Sequence, residues 1–249
     1  MKSKAGDSLT NSAYRSLRAA IISCRLRPGQ KLTISELCDE LGVSLGAVRE
    51  ALSRLASEGL VNAEPQKGFR IAPISQEELL DLNRVRTIIE GHCIEAAIRN
   101  GDLKWETQIV SAEYALSKIP LQDPQDANRL NEEWSRAHAH YHASLVAACD
   151  SSWLLRVRDL LYVQSERYRQ LSISLDRRGR DINREHKEIA DAVIARKVDR
   201  AKTLLTKHIG KTTRILMEAN VVDPRPAADA DEAADRAPEA KVRTSARRA

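Results

Sequence analysis

From Thr33 to Arg70 the apolar positions run at helical spacing, halt at a glycine, resume at helical spacing, and then alternate about a Pro-Gly turn. That succession restricts the stretch to two short helices followed by a β-hairpin. Thr33 and Glu36 stand in the Ser/Thr-x-x-Glu spacing that opens a helix, Leu37 and Leu41 supply its apolar stripe, and Gly42 ends it. After Gly42-Val43-Ser44, residues Val48, Ala51, Leu52 and Leu55 recur at i, i+3, i+4 and i+7, which predicts a second amphipathic helix closed by Gly59. Leu60 to Ala63 and Phe69 to Ile71 then alternate around Pro65-Gln66-Lys67-Gly68, the pattern of a hairpin with a basic tip.

Two short helices joined by a brief glycine-containing turn make a helix-turn-helix, whose second helix enters the major groove and reads base edges near its N-terminus. On that reading Leu45, Gly46 and Arg49 lie nearest the bases, with Ser44 and Arg54 as further candidate DNA-binding residues. Lys67 and Gly68, at the wing tip, would face the DNA backbone or minor groove. The same elements occur in domains with no nucleic-acid partner, and Arg49 is equally compatible with a solvated surface. Charge leans toward DNA: residues 1–75 hold 11 Lys or Arg against 7 Asp or Glu, in a chain of net charge +5 and pI about 9.1. Basic surfaces also suit RNA and anionic membranes, so charge alone decides nothing.

At 249 residues there is room for a small domain and a larger one, each with its own core. Beyond Pro73, Ser75 and Glu78 repeat the helix-opening spacing. Helical patterns follow over 76–99, 102–118, 124–148, 151–175, 180–196 and 199–220, separated by Asn100-Gly101-Asp102, Pro120 to Pro124, Asp150-Ser151-Ser152, Gly179 and Asp199. The expected architecture is mainly α: a winged helix-turn-helix over 9–74 with a small β-hairpin wing, then an all-α bundle of about six helices over 76–220. Residues 221–249 combine Pro, Ala and mixed charge without periodic apolar residues, with six acids and six bases that cancel, so they are expected to be disordered, as are residues 1–8. The tail's Lys241, Arg243, Arg247 and Arg248 form a basic cluster suited to a solvated end or to nonspecific DNA affinity. Cys24, Cys38, Cys93 and Cys149 are widely spaced, which suits reduced thiols rather than disulfides. With no signal core and no run of 18 apolar residues, a soluble cytoplasmic protein without a membrane partner is expected.

The histidines of the bundle are ordered with respect to helix faces. His138 and His142 are four apart and stack on one face with Leu145, while His140 points elsewhere. His186 shares a stripe with Ile189, Ala190 and Val193, and His208 shares one with Leu204, Leu205 and Ile215. Each alone reads as a hydrogen-bonded core residue. Together, four inward imidazoles on three helices form a candidate site for zinc, nickel, copper or iron.

The motif Ser44-x-x-x-Val48-Arg49-Glu50-Ala51-Leu52-x-Arg54-Leu55-x-x-Glu58-Gly59-Leu60-Val61, with Pro65 and Gly68, resembles the winged-helix signature of the GntR family of bacterial transcription regulators. The likeness runs from Ala13 to Pro73. It departs at Leu45, where the family often has Arg or Lys, and at Ala47, where it often has Pro. Residues 76–217 are similar to the FadR-type C-terminal effector domain of that family through Val85-Arg86, Glu90, Tyr141-His142, Leu145, Glu185-His186 and His208. The resemblance implies a divalent metal held by an Asp and three histidines. Here His138 stands at the Asp position, a change from hard oxygen to neutral nitrogen that favours zinc, or nickel, over manganese-like ions. It also implies a small carboxylate effector beside the metal, gripped by Arg86. Independently of the resemblance, Tyr162, Gln164, Ser165 and Arg169 on the fourth helix of the bundle are candidates to line the cavity. Pairing of Arg86 with Glu90 or another acid is the alternative.

The function these readings imply is a DNA-binding transcriptional regulator, a repressor, bound as a homodimer to a palindromic double-stranded operator with half-sites about one helical turn apart. A direct metal sensor is the alternative. A metal-dependent hydrolase is disfavoured because catalytic zinc keeps an open position that a fourth histidine would close, and an enzyme is not expected.

Overall fold

The computed structural model describes residues 9–175 and 180–219. Expectations about residues 1–8, the Gly179 turn and the 221–249 tail lie outside the described residues.

Helix α1 (Leu9–Ile22) turns Ala13, Leu17 and Ile21 inward against the apolar stripe of α3. Strand β1 (Lys31–Leu32) leads into α2 (Ile34–Leu41) and α3 (Leu45–Ser57), and strands β2 (Val61–Glu64) and β3 (Gly68–Ile71) form the wing. Val48, Ala51, Leu52 and Leu55 are all fully buried, as their spacing requires. Gly42 ends α2 at φ +64°, a left-handed backbone that glycine adopts at no steric cost, and its N–H returns to the Cys38 carbonyl. Thr33 occupies the first cap with extended backbone, yet its side chain makes no capping bond. By contrast, Ser44 accepts from Ala47 N at 3.3 Å and so caps α3.

The wing pairs antiparallel from Val61 opposite Ile71 to Glu64 opposite Gly68. β1 adds a third strand on the other side of β3, with Leu32 opposite Phe69. A two-residue strand carries no periodicity by which a sequence could announce it.

The second domain contains α4 (Gln76–Asn100), α5 (Leu103–Ser117), α6 (Glu132–Val146), α7 (Ser152–Ser172), α8 (Ile182–Ile194) and α9 (Val198–Ala219). Ser75 caps α4 through Glu78 N at 3.1 Å, as its spacing predicts. Trp134, Tyr141, Ile94 and Ile109 anchor the bundle core. One expected helix is shorter than its pattern: residues 122–130 form a hairpin, β4 (Gln122–Asp123) and β5 (Asp126–Leu130), and α6 starts only at Glu132. Local hydrogen bonding accounts for this. The Asp123 carboxylate accepts from Gln125 N, closing a turn across Pro124, and Asn131 caps α6 by accepting from Glu133 N, both at 2.8 Å.

The two domains meet along α7. Val163 packs against the winged-helix core, and Gln164 Nε2 donates to the Glu58 carbonyl at 2.5 Å. Arg167 donates from Nη2 to the carbonyls of Ala72 and Pro73, the residues that join the wing to α4. Among the described residues no helix is long and apolar enough to cross a membrane.

Candidate metal centre and nucleic-acid interface

Helix α6 places His138 and His142 one turn apart, and α8 and α9 bring His186 and His208 against them. All four are buried, and one ring nitrogen from each lies within 4.8 Å of the others. The sequence-predicted ligands are therefore brought together in full. Trp134 stacks on the His138 ring at 4.5 Å and walls off one side.

Burial and mutual repulsion keep these imidazoles neutral, the form that can ligate a metal. Desolvation draws His138, His142 and His186 well below the usual histidine range, each reinforced by neighbouring positive charge. Burial pulls His208 down to about 4 despite its carboxylate neighbour.

Ring orientations are set from outside the cluster. His138 Nδ1 lies 2.8 Å from the Tyr162 hydroxyl. Burial pushes Tyr162 up, so it stays a neutral phenol. His208 Nδ1 lies 2.8 Å from Glu185 Oε2 and 3.1 Å from Arg180 Nη2. The carboxylate contact is the shorter, so Nδ1 carries the proton and Nε2 is left with a free lone pair; Arg180 finds its acceptors in Glu185 and the His208 carbonyl. Burial works against the charge on Glu185, but hydrogen bonds from Arg180, His208 and Lys211 hold its carboxyl well below the ordinary carboxylate range.

The cluster fits a divalent ion. His142 Nε2 sits 3.1 Å from His138 Nε2, near the roughly 3.3 Å that separates ligands in a tetrahedral site with metal–nitrogen bonds of about 2.0–2.1 Å. His142 Nδ1 and both nitrogens of His186 have no hydrogen-bond partner among the described residues. An unsatisfied buried polar atom costs about 1–3 kcal/mol, and three of them are a large fraction of the roughly 5–15 kcal/mol that keeps a domain folded. A cation at the facing lone pairs would give His186 a partner. Four neutral nitrogens suit zinc or nickel by donor type.

Beside the centre a cavity of about 40 Å³ opens between α4, α6, α7 and α9, with Asn83, Arg86, His138, Ser165, Arg169 and His208 on its walls. The three residues expected to hold an acid are near it but already engaged. Arg86 donates from Nε and Nη2 to Glu90 Oε1, both at 3.2 Å, and from Nη1 to Ser165 Oγ at 2.6 Å, so the pairing with Glu90 is realised. Arg158 shares Glu90 from the other oxygen at 3.4 Å. Tyr162 is tied to His138. Gln164 faces the winged helix instead. The sequence marks Glu185 only by its place immediately before His186; its contact with His208, 23 residues away, comes from the fold.

On the N-terminal domain, Ser44, Leu45, Gly46 and Arg49 are exposed along the start of α3, and Lys67 is exposed at the wing tip beside half-buried Gly68. Leu45 is 52% exposed. Arg54 is also exposed, but it is held to α1: Nη1 donates to Asn11 at 2.7 Å and the guanidinium lies 4.0 Å from the Tyr14 ring centre.

Residues 9–71 match the gntR family of bacterial regulatory proteins, and residues 81–211 match the FCD domain. The HTH-type transcriptional regulator BphR of Paraburkholderia xenovorans strain LB400 is 35% identical over 85% of this chain and 86% of its own length. The HTH-type transcriptional repressor GlaR of Escherichia coli K12 is 33% identical over 83% of this chain and 94% of its own. Among solved structures, E. coli McbR/YncC superimposes with a TM-score of 0.65 at 19% identity, over 86% of this chain and 99% of that one. A putative GntR regulator from Rhodococcus sp. RHA1 gives the same TM-score and coverage at 22% identity. At these identities the likeness to solved structures is one of fold. The curated relatives are transcriptional regulators, not enzymes.

Proposed function

Because this chain belongs to the GntR family of bacterial regulatory proteins, carries an FCD domain and is a DNA-binding transcriptional regulator, we propose that it is a metal-dependent repressor. It would bind a palindromic operator in the cytoplasm as a homodimer and respond to a small organic acid. The observation that carries the regulatory part is the convergence of four buried, neutral imidazoles within 4.8 Å, with three of their nitrogens unpartnered. His138, His142, His186 and His208 would hold the ion, with zinc preferred and nickel next. The bound ion would supply a positive charge at the cavity floor that attracts a carboxylate. Repression follows the function named for the E. coli relative GlaR.

In the DNA complex Ser44, Leu45, Gly46 and Arg49 would meet base edges and the adjoining phosphates, while Lys67 and Gly68 would follow the backbone. Arg54, fastened to Asn11 and Tyr14, would brace α3 against α1 close to the DNA. Two-fold symmetry matches the dimer to the two half-sites. Ligand binding would change the populations of domain arrangements that let both winged helices engage together. The contacts of α7 support this, since Tyr162 and Ser165 face the site while Gln164 and Arg167 grip the winged helix.

A direct metal sensor is the second reading. It is favoured by His138, which completes a set of four protein nitrogens and leaves a tetrahedral ion no open position. Operator affinity titrated against zinc, with and without organic acids, separates the two. A response to zinc alone identifies the sensor; a response to acid at saturating zinc identifies the acid-dependent switch. Indifference to both contradicts each.

A further inference from the structure

Among the described residues, two buried polar atoms on the walls of the cavity beside the histidine centre lack partners: the donor Arg169 Nη1 and the acceptor Asn83 Oδ1. Unpaired buried polar groups are rare in folded proteins, and each calls for an explanation. The remaining donors of Arg169 are fixed. Nε donates to Glu166 Oε1 at 3.0 Å, Nη2 donates to Glu166 Oε2, and the guanidinium lies 5.0 Å from the Trp134 ring centre. One edge of a rigidly held cation is thus left without an acceptor. Arg86, in contrast, has all three guanidinium nitrogens engaged by Glu90 and Ser165.

Cavity size narrows the ligand. A volume of about 40 Å³ compares with about 10–15 Å³ needed for one water on the same measure, so it accepts a molecule of roughly three to six heavy atoms. Such a molecule must present an acceptor to a guanidinium and a donor to an amide oxygen.

We infer that Arg169, rather than Arg86, anchors the effector's carboxylate, and that Asn83 takes a hydroxyl or amino group on the same short carbon chain. The ligand class is a carboxylic acid of about three carbons bearing one hydrogen-bond donor. This assignment rests on the reading that the cavity receives an organic acid. Arg86 then serves as a brace between Glu90 and Ser165, and α7, which carries Arg169, is the helix on which the acid pulls.

The test is calorimetric titration of the full-length, zinc-loaded protein with propionate and with its 2-hydroxy, 3-hydroxy and 3-amino derivatives. At least one derivative is expected to bind about ten- to hundred-fold more tightly than propionate, the range that corresponds to one buried polar group gaining its partner. Asn83→Ala is expected to abolish that preference, bringing the derivatives to the affinity of propionate. The paired substitution Arg169→Gln with Glu166→Gln, which removes both buried charges together, is expected to weaken every acid at least ten-fold. Should that pair fail to fold, Arg169→Lys keeps the charge beside Glu166 and is expected to weaken binding by several-fold. Acids that bind the unaltered protein but are insensitive to Asn83 and Arg169 overturn this assignment and leave the acid-responsive reading intact. Absence of binding by all four acids to zinc-loaded protein overturns this assignment, whereas operator affinity indifferent to organic acids at saturating zinc overturns the acid-responsive reading beneath it.

Discussion

Arg167 Nη2 donates to the carbonyl oxygen of Ala72 at 2.6 Å, so a helix of the C-terminal domain holds the exit of the DNA-binding wing. Arg167 is only 1% exposed, and the same nitrogen reaches the Pro73 carbonyl at 3.0 Å. A buried guanidinium on backbone carbonyls fixes position more than it adds stability, because its desolvation offsets much of the hydrogen-bond gain. Arg167→Met keeps the apolar length of the side chain and removes the grip. Zinc content is expected to remain complete, while the ratio of operator affinities with and without ligand falls toward one. Fluorescence anisotropy on operator DNA measures that ratio, and an unchanged ratio would show that coupling runs elsewhere.

Metal removal should reach stability directly. An ion that binds only the folded chain at about a thousand times its dissociation constant adds roughly 4 kcal/mol, or on the order of 10 °C in melting temperature for a chain of this size. Chelation is expected to lower the transition by about that amount, and His186→Ala, which removes a ring with two unpartnered nitrogens, is expected to reproduce the loss and to be insensitive to chelator. Scanning calorimetry together with elemental analysis checks both. Full zinc stoichiometry in the variant would remove His186 from the ligand set.

The histidine centre is legible in the chain itself because its parts obey helical geometry: His138 and His142 share a face by spacing, and His186 and His208 each sit in an apolar stripe. The helix-turn-helix is legible for the same reason, since Val48, Ala51, Leu52 and Leu55 declare their period. What escapes such reading depends on residues far apart in sequence. The hairpin at 122–130 mixes Asp126, Ala127 and Arg129 without apolar alternation and packs beside the 3-10 turn Ile173–Leu175 that follows α7. The engagement of Arg86 by both Glu90 and Ser165 is foreseeable only in its first half, because Glu90 is four residues away and Ser165 is seventy-nine. The unpaired edge of Arg169 is a fact of packing that no local pattern encodes.

Position 138 should govern metal choice. His138→Asp exchanges a neutral nitrogen for an anionic oxygen within the same cluster and beside Tyr162. Competition titrations with zinc and manganese are expected to show the zinc-over-manganese preference falling by at least ten-fold, in keeping with the preference of hard ions for carboxylate oxygen. An unaltered preference would mean that His138 stands outside the coordination shell and only stacks on Trp134.

On DNA, Arg49 and Lys67 should differ in kind as well as degree. Arg49 is exposed one turn into α3, the position from which a side chain would reach base edges on the proposed docking; Lys67 is exposed at the wing tip. Arg49→Ala is expected to cost about 1–3 kcal/mol on the specific operator and to relax preference at one base pair of each half-site. Lys67→Ala is expected to weaken specific and random DNA alike and to reduce the slope of log affinity against log salt by about one per site, because one fewer phosphate is neutralised. In vitro selection followed by salt titration separates the outcomes. If Arg49→Ala instead behaved like Lys67→Ala, with a shallower salt slope and intact sequence preference, Arg49 would be a phosphate contact and base reading would fall to the residues before it, Leu45 and Gly46.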